Sequence, residues 1–306
     1  MAAFNLTSNH TEESLPLKKT DIDITPFVFG LFIAFMTVIL NGFLLVVLAK
    51  ERKSFMHMRV TYYIINLGIA DFLTGAIILF LVITRLFQIP LSSTSEEILV
   101  IFNWITMQCS FYTLVLMSVD RLVIVLYSMS WSGILTVRRT IISTAIVWVL
   151  SVTGGIIMHF YQVETRLAIL GIVQLSILVF IVNSLFIYPV LRKREKGRFV
   201  TKVSASQTVY SERVLYPLPY DNMSRVVMIL IVVLMITQLP FVICMEMRLI
   251  KRLCGDGVLE FARTKLFTII YLYAQSFACL NFAINPVVYA WRIKKYREAF
   301  ANCLCW

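Results

Sequence analysis

Seven long apolar blocks leave this chain few ways to fold. Between charged residues, apolar runs occupy roughly 24–49, 60–84, 98–119, 140–163, 167–191, 226–245 and 266–291. Each is about 20 residues or longer, enough for an α-helix to cross a hydrocarbon core of ~30 Å at ~1.5 Å per residue. Hydrocarbon offers no partner to a free amide or carbonyl, so each block must close its own hydrogen bonds as a helix. A membrane β-barrel would alternate apolar and polar residues over ~10-residue segments, and that pattern is absent. The chain is 59% hydrophobic and 15% charged, which excludes an ordinary soluble domain. The expected fold is an all-α membrane protein, a seven-transmembrane helix bundle.

An odd number of spans puts the two termini on opposite sides, and charge decides which is which. Eighteen basic residues fall on the side shared with the C-terminus, among them Lys50, Arg52, Lys53, Arg59, Arg138 and Arg139, against nine on the other side. The positive-inside rule therefore makes the C-terminus cytoplasmic and the N-terminus external. The domain reading follows: an outer tail over 1–23, the bundle over 24–291, and a cytoplasmic amphipathic helix and tail over 292–306. The net charge of +11 reflects this orientation and contact with anionic lipid heads, not nucleic-acid binding.

The first 23 residues are polar and lack an apolar core of about 7–15 residues, so the first span is expected to act as the insertion signal. Asn5 and Asn9 head Asn-Xaa-Thr triplets on the outer side and are expected glycosylation sites. Of six cysteines, Cys303 and Cys305 follow the seventh span beside basic residues, a setting that suits palmitoylation. Cys244 and Cys254 lie near the outer end of the sixth span and in the last outer loop, and spacing leaves open whether they pair.

Polar residues inside the spans mark function by default, because an intramembrane charge needs a partner or water. Asp71 lies about 12 residues, or ~18 Å, from Arg59 at the inner edge, near mid-membrane. Ser110 of the third span and Asn281 and Asn285 of the seventh reach a similar depth, and the two asparagines share one helix face. This set makes a pocket of oxygen ligands around one carboxylate, suited to Na⁺. Hydrogen-bonded helix packing without an ion is the alternative, and spacing leaves the two open.

Asp120 and Arg121 end the third span at the cytoplasmic edge, where opposite charges can lock each other in one state and release the arginine in another. Interfacial snorkelling of Arg121 is the competing reading. Pro286, between Asn285 and Tyr289, and Pro240 in the sixth span each remove a helix hydrogen bond and bend the helix. A nearby asparagine can satisfy the freed group. Two bent helices and a releasable ion pair describe a bundle with two packings.

These residues, taken in order, resemble the rhodopsin-like (class A) G-protein-coupled receptors. The matching positions are Asn41, Asn66 to Asp71, Asp120-Arg121-Leu122, Trp148, Tyr188, Pro240 and Asn285 to Tyr289. The basic stretch WRIKKYREAF is similar to the family's short eighth helix at the membrane surface. The resemblance covers nearly the whole chain. It implies an extracellular ligand, a heterotrimeric G protein and arrestin as partners, no catalysis, and residence in the plasma membrane among lipids that contact the spans. The activation switches it implies are Asp120, Arg121, Tyr188, Gln238, Pro240, Pro286 and Tyr289.

The departures are specific. Gln238 stands where the family usually carries tryptophan, Phe180 where it carries proline, and Glu96-Glu97 near the place of its usual disulfide cysteine. In these features and in the short fourth-to-fifth link the chain is similar to the melanocortin receptors. That likeness implies a peptide ligand contacted by Glu96 and Glu97, with Asn103 in the pocket where amine receptors place an acid. An orphan chemosensory or constitutively active receptor is the alternative, and a seven-span transporter a weaker one. A retinal protein is excluded because no lysine lies between Lys265 and Arg292, and the three histidines, His10, His57 and His159, supply no catalytic or metal motif.

Overall fold

The computed structural model describes residues 25–127, 136–160, 219–254 and 260–304, with scattered residues between 167 and 189. Among them, six helices are long and apolar enough to cross a membrane: Thr25–Lys50, Arg59–Leu86, Ser93–Ile124, Val137–Phe160, Arg225–Lys251 and Lys265–Arg292. They correspond to the first to fourth, sixth and seventh expected spans. Of the fifth, 167–191, every described residue is helical, and the whole is a seven-transmembrane bundle.

The helices overrun the apolar blocks. The third runs Ser93–Tyr127, 35 residues, or roughly 52 Å, and the sixth runs Pro219–Cys254. Polar ends continue as helix because each turn still closes its own hydrogen bonds after it leaves the hydrocarbon. The chain packs as a ring: the first span against the second and seventh, the second against the third, the third against the fourth and sixth, and the sixth against the seventh.

Which face turns inward follows from residue size and polarity. Phe32, Phe35, Ile146, Val149, Val232 and Ile236 point outward, an arrangement that only lipid makes favourable. The largest continuous core lies in the inner half, where Leu44, Leu67, Met117, Leu230, Tyr289 and Tyr296 meet. The outer half holds smaller clusters, one of them around Phe241, Phe267 and Tyr271.

Close approach of the third and fourth spans depends on two glycines. A Cβ at Gly155 would lie 2.4 Å from Ile105 Cγ1 and 3.2 Å from the Ile105 backbone nitrogen, and one at Gly154 would strike the Gln108 side chain. The backbone contact cannot rotate away. We therefore expect Gly155→Ala to cost about 1–3 kcal/mol, read as a lower thermal midpoint of the purified protein. An unchanged midpoint would mean that the two spans separate at no cost.

Pro286 lacks the amide that would bond the Phe282 carbonyl one turn earlier. Asn41 of the first span fills the gap: its Nδ2 donates to the Phe282 oxygen at 2.9 Å and to that of Thr37 at 3.0 Å. The seventh span at Pro286 is thus tied to the first. Asn41→Leu should leave a buried carbonyl unpaired and cost about 1–3 kcal/mol, again visible in thermal unfolding.

A short amphipathic helix, Lys294–Leu304, follows the seventh span. Tyr296 seats it, with ring centroids 4.7 Å from Phe55 and 6.0 Å from Tyr289. Lys295 Nζ donates to the Ser54 carbonyl and lies 4.9 Å from the Phe55 ring centroid.

Candidate functional site

Three polar clusters line the bundle from its centre to its inner end. At the centre, Asp71 is fully buried. Ser110 Oγ donates to its Oδ1 at 2.5 Å, and Asn285 Nδ2 donates to its Oδ2 at 2.6 Å. The second, third and seventh spans are joined through this one carboxylate. Asn281, the remaining member expected from the sequence, is buried but makes no hydrogen bond to it. Both of its amide atoms, and Asn285 Oδ1, find no partner among the described residues. Buried amides ordinarily find partners, and these orphaned atoms leave donors and acceptors that a further polar group would fit. Carboxylate, hydroxyl and amide oxygens are hard donors. Among the described residues no group of three His, Cys, Asp or Glu side chains could hold a transition metal.

Thr74 and Thr106 add a tie between the second and third spans, with their hydroxyls 2.8 Å apart. On the side toward the fourth span, Asn66 acts as a hub. It accepts from Trp148 Nε1 at 2.8 Å and donates to Thr113 Oγ1 at 2.7 Å. Thr113 had no sequence signal beyond being a hydroxyl in an apolar run.

Toward the C-terminal end of the third span, Asp120 lies between two guanidinium groups. Arg121 Nη2 approaches its Oδ2 at 2.5 Å and Arg59 Nη1 its Oδ1 at 2.8 Å. The Asp120 and Arg121 side chains are 3% and 2% exposed, so snorkelling of Arg121 is replaced by full enclosure. Arg121 Nη1 has no partner among the described residues. Sequence reasoning treated Arg59 as an edge marker and missed it as the second cation. The only available signal was its position at the first turn of the second span.

On the far side of the Asp71 cluster from Asp120, about two turns before Asn285 along the seventh span, the sixth and seventh spans are linked. Gln238, in place of the expected tryptophan, is 9% exposed and donates from Nε2 to the Ala278 carbonyl at 3.0 Å. Pro240 sits inside the sixth helix two residues on. Tyr289 is buried with a hydroxyl that finds no partner among the described residues.

The outer residues are arranged differently from expectation. Glu96 is 2.6 Å from Arg85, and Glu97 lies 4.0 Å from His159. Asn103 is buried and donates to Met107 Sδ at 3.3 Å, with no partner for its Oδ1 among the described residues. Cys244 and Cys254 are free thiols, and Cys303 is half-buried against the inner core. Tyr188, Asn5, Asn9 and Cys305 lie outside the described residues.

Residues 40–168 match the family described as 7 transmembrane receptor (rhodopsin family). Galanin receptor type 1 of Rattus norvegicus is 30% identical over 144 residues, 45% of this chain and 40% of the relative. The Mus musculus receptor of the same name is 29% identical over 49% of this chain and 44% of its own length. The aligned stretch thus spans less than half of these two relatives. The allatostatin-A receptor of Bombyx mori is 25% identical over 94% of this chain and 81% of its own length. These relatives give no support to the melanocortin likeness. The matched segment holds Asn41 and residues of all three clusters: Asp71 and Ser110, Asn66 and Trp148, and Asp120 and Arg121. Over residues 40–168 the chain is similar to the rhodopsin family of seven-transmembrane receptors.

Proposed function

We propose that this receptor binds a peptide on its outer side and activates a cytoplasmic heterotrimeric G protein by shifting between two packings of its helices. The observation that carries this reading is the enclosed Arg121, held by an Asp120 that a second arginine already pairs. An arginine that has another counter-ion waiting to keep its aspartate satisfied can leave at low cost. Its release, with outward movement of the inner end of the sixth span, makes a cavity for the G protein. The receptor side of this scheme needs no catalysis. Relatives named for galanin and allatostatin-A support a peptide ligand.

In the same reading the Asp71 pocket holds Na⁺ in the closed packing. Asp71, Ser110 and the amide oxygens of Asn281 and Asn285 would be its ligands, and the orphaned amide atoms fit that role. The ion supplies a positive charge for the buried carboxylate and so favours the packing in which these three spans meet. Gln238, Pro240, Pro286 and Tyr289 carry the movement along the bundle to the inner end, with Tyr188 on the fifth span. We place the protein in the plasma membrane with its N-terminus outside, glycans on Asn5 and Asn9, palmitate on Cys303 and Cys305, and arrestin as a second cytoplasmic partner.

The test is guanine-nucleotide exchange. Receptor in lipid nanodiscs is mixed with purified heterotrimers of each Gα class, with and without pooled amidated peptides. Faster exchange with at least one class is expected; no acceleration with any would contradict the proposal.

A further inference from the structure

The carboxylate best placed to read a ligand is neither of the two that the sequence suggested. Glu96 and Glu97 sit beside Arg85 and His159; Glu96 is half-buried and Glu97 exposed. Glu246 differs. It lies on the sixth span about five residues, or ~7.5 Å, inward of Lys251, and it is half-buried. Its partner is a neutral amide: Gln174 Nε2, on the fifth span, donates to Glu246 Oε1 at 2.5 Å. Arg248, two residues on, turns its guanidinium over the Tyr271 ring at 4.5 Å. Among the described residues no cation pairs with Glu246.

Glu246 stands at the outer edge of the sixth span, half-buried, where a single neutral donor satisfies a carboxylate only in part. The Gln174 bond does something else. It fixes the carboxylate plane by one oxygen and leaves the other available. Its chain neighbours Met245 and Met247 pack toward the seventh span, on the cluster of Phe241, Cys244, Phe267 and Tyr271, while Glu246 turns to the fifth. A carboxylate held by a neutral donor matches a cationic head.

We propose that Glu246, oriented by Gln174, is the counter-ion for a cationic group, guanidinium or ammonium, of the outer-side ligand. This rests on the reading of the protein as a receptor for an outer-side ligand, and names the chemistry of that ligand. Glu96 and Glu97 then contribute little to charge selection, because each already faces a basic side chain.

The experiment uses full-length receptor in nanodiscs of neutral lipid, which removes attraction of cations to the bilayer. The probes are two labelled pools of amidated hexapeptides, identical except that every member of one carries arginine where the other carries citrulline, a neutral group of nearly the same shape. The arginine pool should be retained about tenfold more than the citrulline pool. Glu246→Gln, which keeps the shape and the partner Gln174, should bring the two to parity. Glu96→Gln and Glu97→Gln should keep the preference. Gln174→Arg should abolish it by supplying an internal cation. Equal retention of both pools by the wild type, retention of neither, or a preference that survives Glu246→Gln or Gln174→Arg would overturn the assignment. Each variant is first shown to be monodisperse with a wild-type thermal midpoint. For Gln174→Arg, which adds a charge, a changed midpoint transfers the decision to Glu246→Gln alone. Retention is read without a G protein, so a receptor that selects the arginine pool yet accelerates no exchange would sink the signalling proposal and leave this one standing.

Discussion

Arg121→Ala is expected to reach the membrane in normal amount and to accelerate nucleotide exchange on the G protein no faster than empty nanodiscs do. The two halves of this result have separate physical causes. Surface expression survives because Asp120 keeps Arg59 at 2.8 Å, so the substitution does not strand a buried carboxylate. Removing one member of a buried pair usually costs about 3–5 kcal/mol for that reason, and here the second arginine prevents it. Coupling is lost because alanine offers neither charge nor donors to the G protein in the opened cavity. Arg121→Lys should recover only part of the activity, since an ammonium cannot reproduce the planar fork of donors. Wild-type exchange by Arg121→Ala would refute the role given to this residue.

The second large effect concerns sodium. Replacing choline by Na⁺ at a constant ionic strength of about 0.15 M should lower basal exchange of the wild type by roughly 5- to 100-fold, the usual range of allosteric coupling. Asp71→Asn should remove that dependence. The substitution deletes the charge that draws the ion, while an amide oxygen can still accept from Ser110. Asn285, whose Oδ1 has no partner among the described residues, can turn to accept from the new amide. Folding should therefore be spared. The sign matters: the ion favours the closed packing, so the variant in sodium should resemble the wild type in choline. Undiminished sodium sensitivity of Asp71→Asn would remove the ion from the pocket.

Much of this architecture was legible in the chain, for identifiable reasons. Helices in lipid must be long and apolar, so counting residues between charges located the spans. Counting inward from Arg59 placed Asp71 at a depth that Ser110 and Asn285 share, and those two do bond it. Pro286 announced a freed carbonyl and a need for an asparagine. That the asparagine is Asn41, 241 positions earlier than Phe282, is a tertiary fact no local rule contains. Arg59 was missed for the same reason: its partner lies on another helix, and charge spacing along one helix is silent about that. Glu96 and Glu97 follow from the melanocortin likeness, which could not reveal that Arg85 and His159 face them. Gln238 was legible as a departure but not as a link, since its acceptor is a backbone carbonyl of the seventh span.

The central claim is that the inner ends of the spans separate when the G protein docks. Spin labels at Arg138, exposed at the inner end of the fourth span, and at Arg225, at the inner end of the sixth, measure this directly by pulsed electron–electron resonance, with the native accessible thiols replaced by serine. Two distance populations are expected, the longer one growing on addition of nucleotide-free G protein and shrinking on addition of Na⁺. A single distance, unmoved by either, would contradict the account.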